Sequence, residues 1–114
     1  MWMFCKSGMF SAVKHNAKAE VMLIRARLEG DLERLFKAHG MSDKYKVVEI
    51  PNSDYRFRVE MDTADWVRCA TEEAEDIDYT NFKNAVHDGT VRDAAYMGCW
   101  SAMYDAQSKQ KYGI

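Results

Sequence analysis

Four arginines stand in two pairs whose spacing could bring their guanidinium groups together. Arg25 and Arg27 lie two residues apart in one predicted strand, and Arg56 and Arg58 lie two residues apart in another. Side chains two apart in a strand point to the same face of a sheet. In both strands this face is opposite to the apolar one, so four guanidiniums could gather on the open side of a sheet. Each is a planar fork suited to phosphate or carboxylate, which predicts an anion site.

Two aromatic side chains could add stacking surfaces to this site. Trp2 and Phe4 lie two apart on a predicted N-terminal hairpin, and they either join the arginines or belong to the core, which is the interpretation we favour. Aromatic rings beside arginines on an open sheet are typical of proteins that bind nucleotides or single-stranded nucleic acid. The alternative is that the arginines are solvated or paired across strands with acidic residues, namely Glu20, Glu49 and Glu60.

A second polar cluster lies between two predicted helices and consists of Asp78, Tyr79, Asn81 and Lys83. Polar side chains on a loop that a rigid scaffold positions often bind ligands. The alternative, which we favour, is that Asp78 caps a short helix while Tyr79 and Phe82 pack that helix against the core.

Familiar metal-binding and catalytic patterns are absent from the sequence. The histidines, His15, His39 and His87, are far apart, and the acidic run over 72–78 lacks a calcium-loop pattern. No nucleophile elbow and no glycine-rich phosphate loop occur. The cysteines, Cys5, Cys69 and Cys99, are widely spaced and predict free thiols in a reducing cytoplasm, although a thiol nucleophile stays open. We expect no metal and no cofactor, and we favour binding over enzymatic activity.

The composition is that of one small globular domain. The chain has 114 residues, a net charge of −2 and 47% hydrophobic residues, so it is neither a polycation nor disordered. No apolar run approaches the roughly 20 residues that a membrane span needs. The eight methionines fit either a plastic core, which we favour, or an adaptable surface. We expect a single cytoplasmic domain over 1–114.

The elements that would position these side chains are five strands and four helices. Alternation and turn residues predict strands at 2–5, 9–14, 20–28, 45–50 and 55–61. Helices are predicted from Gly30-Asp31 to a cap at Gly40, from a capping signal at 62–65 through Ala74, over 79–86, and from a Thr90 cap to a frayed polar tail at 108–114. The predicted fold is α+β, a mainly antiparallel five-stranded sheet of ferredoxin-like type with helices on one face and a helical C-terminal half.

Five blocks in this order resemble a family of small uncharacterised proteins of bacteria and phages. The blocks are Met-Trp-Met-Phe at 1–4 with Gly-Met-Phe-Ser-Ala-Val at 8–13, Arg-Ala-Arg at 25–27 with Asp-Leu at 31–32, Asp-Tyr-Arg-Phe-Arg-Val at 54–59, Asp-Tyr-Thr-Asn-Phe-Lys at 78–83, and Trp-Ser-Ala-Met-Tyr at 100–104. The chain departs from the family pattern at Met9 and Cys5. The resemblance supplies no activity, but it implies that the polar members of these blocks are typical of the family, namely Ser11, Arg25, Arg27, Asp54, Tyr55, Arg58, Asp78, Asn81 and Lys83. We add Ser11, Asp54 and Tyr55 to the arginines as candidate ligand residues. A phage setting would also suit a counter-defence role.

Two functional hypotheses follow. The first is a non-enzymatic module that binds an anionic small molecule or a short nucleic acid on the open sheet face. The second is a protein-interaction module or inhibitor that acts as a homodimer through edge strands or a Met-rich, aromatic surface.

Overall fold

The computed structural model describes residues 1–112, which divide into two compact units. The first unit, Met1–Asp78, contains all five strands and two helices, and the second begins at Tyr79 and contains two more helices. The sequence predicts one domain over 1–114, so the division at Asp78 is a feature that the sequence pattern did not indicate.

The helices are α1 (Asp31–Ala38), α2 (Thr63–Glu75), α3 (Phe82–Ala85) and α4 (Val91–Tyr112). The predicted frayed tail at 108–114 is therefore helical as far as Tyr112, and its last two residues lie outside the described residues. None of these four helices combines the length and the apolar character that crossing a membrane requires.

The sheet of the first unit is antiparallel throughout. Its strands β1 to β5 span Trp2–Cys5, Gly8–Lys14, Val21–Ala26, Val48–Glu49 and Phe57–Asp62. Their order across the sheet is β1-β2-β3-β5-β4. Strand β5 lies between β3 and β4, as in a ferredoxin-like unit, and β2 occupies the place of that unit's last strand. The predicted α+β class and antiparallel five-stranded sheet are confirmed.

The core lies between one face of the sheet and the helices α1 and α2. Alternate residues of the central strands supply the sheet side of this core, and they are Phe10, Ala12, Ile24, Ala26, Val59 and Met61. Helix α1 adds Leu32, Leu35 and Phe36, and α2 adds Trp66 and Cys69. Because side chains alternate along a strand, the residues between them point to the opposite face, which we call the far face.

Helix α1 also holds the β1–β2 hairpin in place. Asp31 is fully buried, and its Oδ2 accepts a hydrogen bond of 3.2 Å from the backbone N–H of Met9. Arg34 pairs with Asp31 and donates from Nε to the carbonyl of Ser7 at 3.0 Å. A Cβ at Gly8 would lie 2.5 Å from Cγ of Asp31, so only glycine allows this approach. Asp31, which the sequence predicts at the start of a helix, thus also binds that helix to the hairpin.

Three predicted strands begin later than the pattern indicated, and β3 does so by one residue, at Val21. Strand β4 is confined to Val48–Glu49 because Tyr45 is drawn towards α2, where its hydroxyl donates to Asp65 at 2.5 Å and accepts from the N–H of Asp62 at 3.1 Å. Strand β5 begins at Phe57 rather than at residue 55.

The helix caps confirm one prediction and correct two. Thr90 caps α4, since its Oγ1 accepts from the N–H of Arg92 at 3.2 Å. Asp62 stands at the N-cap of α2 but makes no capping hydrogen bond with its side chain. Asn81, not Asp78 or Thr80, caps α3 through the N–H of Asn84 at 3.0 Å.

Candidate functional site

A row of side chains crosses the far face at the level of Arg25. Arg25 stands directly opposite Ser11 on β2 and directly opposite Arg58 on β5. Ser11 in turn faces Trp2 on β1, and Arg58 faces Val48 on β4. Directly opposite residues of antiparallel strands share a face, so these five side chains form one line, which we call the far-face row.

Two arginines contact the ring of Tyr55. The guanidinium carbons of Arg25 and Arg27 lie 4.4 Å and 4.1 Å from the ring centroid. Arg25 donates from Nη2 to Oγ of Ser11 at 2.8 Å, and Arg27 donates from Nε to the carbonyl of Asp54 at 3.2 Å. Tyr55 is only 4% exposed, precedes β5 and stands outside the core cluster, so it is buried by these contacts.

Arg58 holds the same loop from the other side. It donates from Nε to the carbonyl of Tyr55 at 3.2 Å and from Nη2 to Oγ of Ser53 at 2.6 Å. Its Nη2 lies 3.7 Å from Oδ1 of Asp54, which is mostly exposed. Arg25, Arg27 and Arg58 therefore meet around the 53–55 loop, and we call these three the arginine cluster.

The arginine cluster carries excess positive charge. Among residues 1–112, Asp54 is the one carboxylate that forms an ion pair with it, and neither Arg25 nor Arg27 forms any. Arg25 also has a buried Nε without a hydrogen-bond partner in the described chain. Buried donors are normally satisfied, so this group marks an unusual site.

The cross-strand pairing with glutamates that was the alternative does not occur for the cluster. Glu60 accepts instead from Nζ of Lys18 at 2.9 Å and lies 2.9 Å from Nε2 of His15. Glu49 pairs with Arg56, whose Nε lies 3.5 Å from its Oε2. Arg56 thus stays apart from the other three arginines, because it precedes β5 and turns to the edge strand.

The aromatic residues of the N-terminal hairpin are not in the core. Trp2 is 69% exposed and Phe4 is 37% exposed, which corrects the interpretation that we favoured. Both lie on β1, an edge strand whose far face neither α1 nor α2 covers. Trp2 therefore supplies an accessible ring at one end of the far-face row.

An open groove of about 600 Å³ lies at the other end of the row, and sequence reasoning missed it. Its lining is Leu23, Lys44, Tyr45, Lys46, Val48, Arg58, Val59 and Glu60. Burial and, to a smaller extent, the hydrogen bond to Asp65 raise the pKa of Tyr45 to about 12, so its hydroxyl stays protonated. The Lys-Tyr-Lys run at 44–46 could have indicated a binding surface. We assign residues 45–50 to a strand from the sequence, and that run is therefore not among the predicted site residues.

The second predicted cluster is divided by the boundary between the two units. Asp78 belongs to the first unit and pairs with Lys6 at 2.9 Å. In the second unit the rings of Tyr79 and Phe82 lie 5.8 Å apart, and Asn81 caps α3 in place of Asp78. Lys83 lies 4.4 Å above the ring of Trp100.

The buried polar groups of the first unit serve packing. His39 lies between two carboxylates, with Nδ1 2.7 Å from Oε1 of Glu72 and Nε2 3.0 Å from Oε2 of Glu73. Glu73 also accepts from the N–H of Ser7 at 3.2 Å. Burial and the neighbouring Glu73 raise the pKa of Cys5 to about 12, which opposes thiolate chemistry. Within the described residues no group of three or more His, Cys, Asp or Glu could hold a metal ion.

Comparison of the chain with protein-family models, with curated proteins and with solved structures finds no match. The resemblance to small bacterial and phage proteins therefore stays a prediction, and the site is interpreted from its own geometry.

Proposed function

We propose that this chain is a non-enzymatic binding module that holds a phosphate-bearing ligand, such as a nucleotide or a short nucleic acid, on the arginine cluster. The observation that carries the proposal is the register of Arg25 and Arg58. They stand directly opposite one another on adjacent strands, where like charges destabilise a sheet. An anion between them would remove this repulsion.

The donors of the cluster fit an anion. Arg25 uses Nη2 on Ser11, and Arg58 uses Nε and Nη2 on the 53–55 loop, so Nη1 of each has no partner among residues 1–112. Hydrogen bonds from guanidinium to phosphate are among the stronger ones in proteins. The contacts to Ser11 and to the loop orient both groups before a ligand arrives, which lowers the entropic cost of binding.

Trp2 is the aromatic group that suits a base. Its exposed ring stands in the same row, two strands away from Arg25, whereas Tyr55 is buried beneath guanidiniums and offers no free face. The net charge of −2 disfavours binding of polyanions by bulk charge, so affinity would depend on these particular side chains.

The test is isothermal titration calorimetry with inorganic phosphate, mononucleotides and short oligonucleotides, at low and at physiological salt. We expect Arg25→Gln to weaken binding about 10-fold or more, because hydrogen bonds to charged groups contribute about 1.5–3 kcal/mol and 1.4 kcal/mol is tenfold. Arg27→Gln, at an exposed position, is the second variant. The matched control is Arg56→Gln, which removes a nearby arginine outside the cluster and should change affinity less than about twofold.

Circular dichroism of each variant separates lost binding from lost folding. Absence of binding to every one of these probes by the unmodified protein at low salt would falsify the proposal. Equal losses for Arg25→Gln and Arg56→Gln would also overturn it, because they would indicate general charge and not a site.

A further inference from the structure

The groove beside β4 continues the arginine cluster, since Arg58 belongs to both. Leu23 lies two residues before Arg25 on β3 and Glu60 lies two residues after Arg58 on β5, so both point to the far face. Val48 stands opposite Arg58 in the register. A ligand held by Arg58 would therefore lie at the edge of the groove.

The groove has an apolar lining and one lysine, Lys46, that forms no ion pair with the described residues. Leu23, Val48 and Tyr45 supply apolar and aromatic surface, and Lys46 is exposed and makes no ion pair with any residue over 1–112. Lys44 is already neutralised, because its Nζ lies 2.7 Å from Asp65 and 3.4 Å from Asp62. The groove thus offers an apolar surface with Lys46 at one side and, at the other, Arg58, whose Nη1 has no partner among residues 1–112 although its Nη2 lies near Asp54.

The acidic residue of the groove does not cancel this charge. Glu60 is held by Nζ of Lys18 and by Nε2 of His15, each at 2.9 Å. Its carboxylate is therefore compensated from the side of β2, which leaves Lys46 and Arg58 as the cations that a ligand in the groove would meet.

The whole row is longer than a single nucleotide needs. From Trp2 on β1 to Val48 on β4 it crosses five strands, and four strand spacings of about 4.8 Å give roughly 19 Å. The exposed ring of Trp2 stands at one end and the apolar lining of the groove, in which the ring of Tyr45 packs against Phe36, stands at the other. The opposed side chains of Arg25 and Arg58 lie between them. Alternating stacking surfaces and cations are the means by which proteins track a single strand.

We propose that the ligand is a single-stranded nucleic acid that lies across the strands of the sheet, with one base on Trp2, a backbone phosphate on Arg25 and Arg58, a following base in the groove and a further phosphate at Lys46. This inference rests on the function proposed above and specifies its ligand class. A mononucleotide would use only part of the row.

The test measures affinity as a function of length, with fluorescently labelled single strands of one to about eight nucleotides. We expect affinity to rise at least tenfold between one and about four nucleotides and then to level off. Lys46→Gln should lower the affinity for the longer strands about fivefold and reduce the salt slope by about 0.7, the value for one phosphate of a single strand. Its effect on mononucleotide binding should be smaller than its effect on the longer strands.

Two further variants complete the design. Trp2→Ala should weaken binding of the longer strands about 5-fold to 150-fold, in keeping with about 1–3 kcal/mol for one stacked base, and Trp2→Phe should restore most of this loss. The matched control is Lys37→Gln, an exposed lysine without an ion pair in the described chain, on α1 and so on the opposite side of the sheet. It should change no affinity.

The outcomes separate this inference from the function on which it rests. Binding that is independent of length and unaffected by Lys46→Gln would overturn the single-strand inference, while its loss in Arg25→Gln would still support an anion site. Equal effects of Lys46→Gln and Lys37→Gln would likewise overturn it. No binding of any strand or nucleotide at low salt would overturn both.

Discussion

At the scale of single residues, the three cysteines occupy different environments. Burial raises the pKa of Cys5 to about 12 and that of Cys69 to about 11. Both thiols are buried, whereas Cys99 is exposed on α4. Only a thiolate reacts rapidly with alkylating reagents, so burial and a raised pKa both protect Cys5 and Cys69.

We therefore predict that a maleimide labels the native protein at Cys99 alone near pH 8, and labels all three cysteines after unfolding. Mass spectrometry of peptides identifies the modified positions. Cys99→Ser provides the control, because that variant should remain unlabelled while it is folded. Rapid modification of native Cys5 would show that the thiol is accessible and would revive it as a candidate nucleophile.

The candidate site shows which single residues a sequence can assign. Alternation placed Arg25 and Arg58 on one face because both lie inside regular strands. Alternation failed for Arg56, because this residue precedes β5 and its side chain pairs with Glu49 instead of following the alternation of the strand. It also failed for Trp2, because an alternating pattern does not reveal whether an edge strand is covered on both faces.

At the scale of elements, α4 contains a glycine whose replacement should strengthen it. Gly98 lies in the interior of this helix, and a Cβ built there meets nothing within 4 Å. We predict that Gly98→Ala stabilises the helix by up to about 1 kcal/mol, the difference between the two residues in helix interiors. Far-UV circular dichroism with chemical denaturation measures both helicity and stability.

The same substitution at Gly89 gives the opposing control. Gly89 precedes α4 with φ of +72°, a left-handed conformation that alanine adopts at a cost of about 1 kcal/mol. Gly89→Ala should therefore destabilise the protein although the space around it is also open. A loss of stability in both variants would indicate that Gly98 is required for a contact and not merely tolerated.

Elements were predictable where local pattern and tertiary contacts agree. The alternation in β3 and β5 coincides with their core face, so both strands were found within two residues at each end. Strand β4 was overextended because Tyr45 has strong strand preference, yet its hydroxyl is bound by Asp65 on α2. Nothing in the local sequence encodes that long-range hydrogen bond, and the groove that it opens could not be foreseen.

At the scale of the whole molecule, we expect the free energy of unfolding to decrease at acidic pH because Glu73 becomes protonated. Burial raises the pKa of this carboxyl, but hydrogen bonds from Cys5, Ser7 and His39 together lower it below its ordinary value of 4.5. A lowered folded pKa means that the contribution to stability is fully present above about pH 4.5 and is lost as pH falls through the folded value.

We predict that Glu73→Gln flattens the dependence of unfolding free energy on pH below about 4.5, because the group that takes up the proton has been removed. Urea denaturation at a series of pH values measures this. Glu75→Gln is the matched control, since Glu75 lies on the same helix, is solvent-accessible and makes no ion pair with the described residues. Identical pH profiles for the unmodified protein and Glu73→Gln would contradict the assignment.

The division of the chain into two units belongs to the same scale and was not predicted. Composition does not change at Asp78, and no stretch rich in proline, glycine or serine marks a linker there. Local composition reports linkers that are flexible, whereas this boundary follows from where long-range contacts cease. Such contacts depend on the folded chain and have no signature in a short window of sequence.

The register that places Arg25 opposite Arg58 also places Ile24 opposite both Ala12 and Val59 on the core face. A slip of one residue would exchange the two faces and bury the arginines, so the core fixes their separation. Alternate residues of the same strands therefore serve the core and the candidate site. The odd-numbered residues of β3 can vary towards new ligands while packing conserves the even-numbered ones. Because Ser11 and the loop contacts of Arg25 and Arg58 are themselves structural, a library that starts from Trp2, Leu23 and Val48 would explore binding without altering the hydrophobic core.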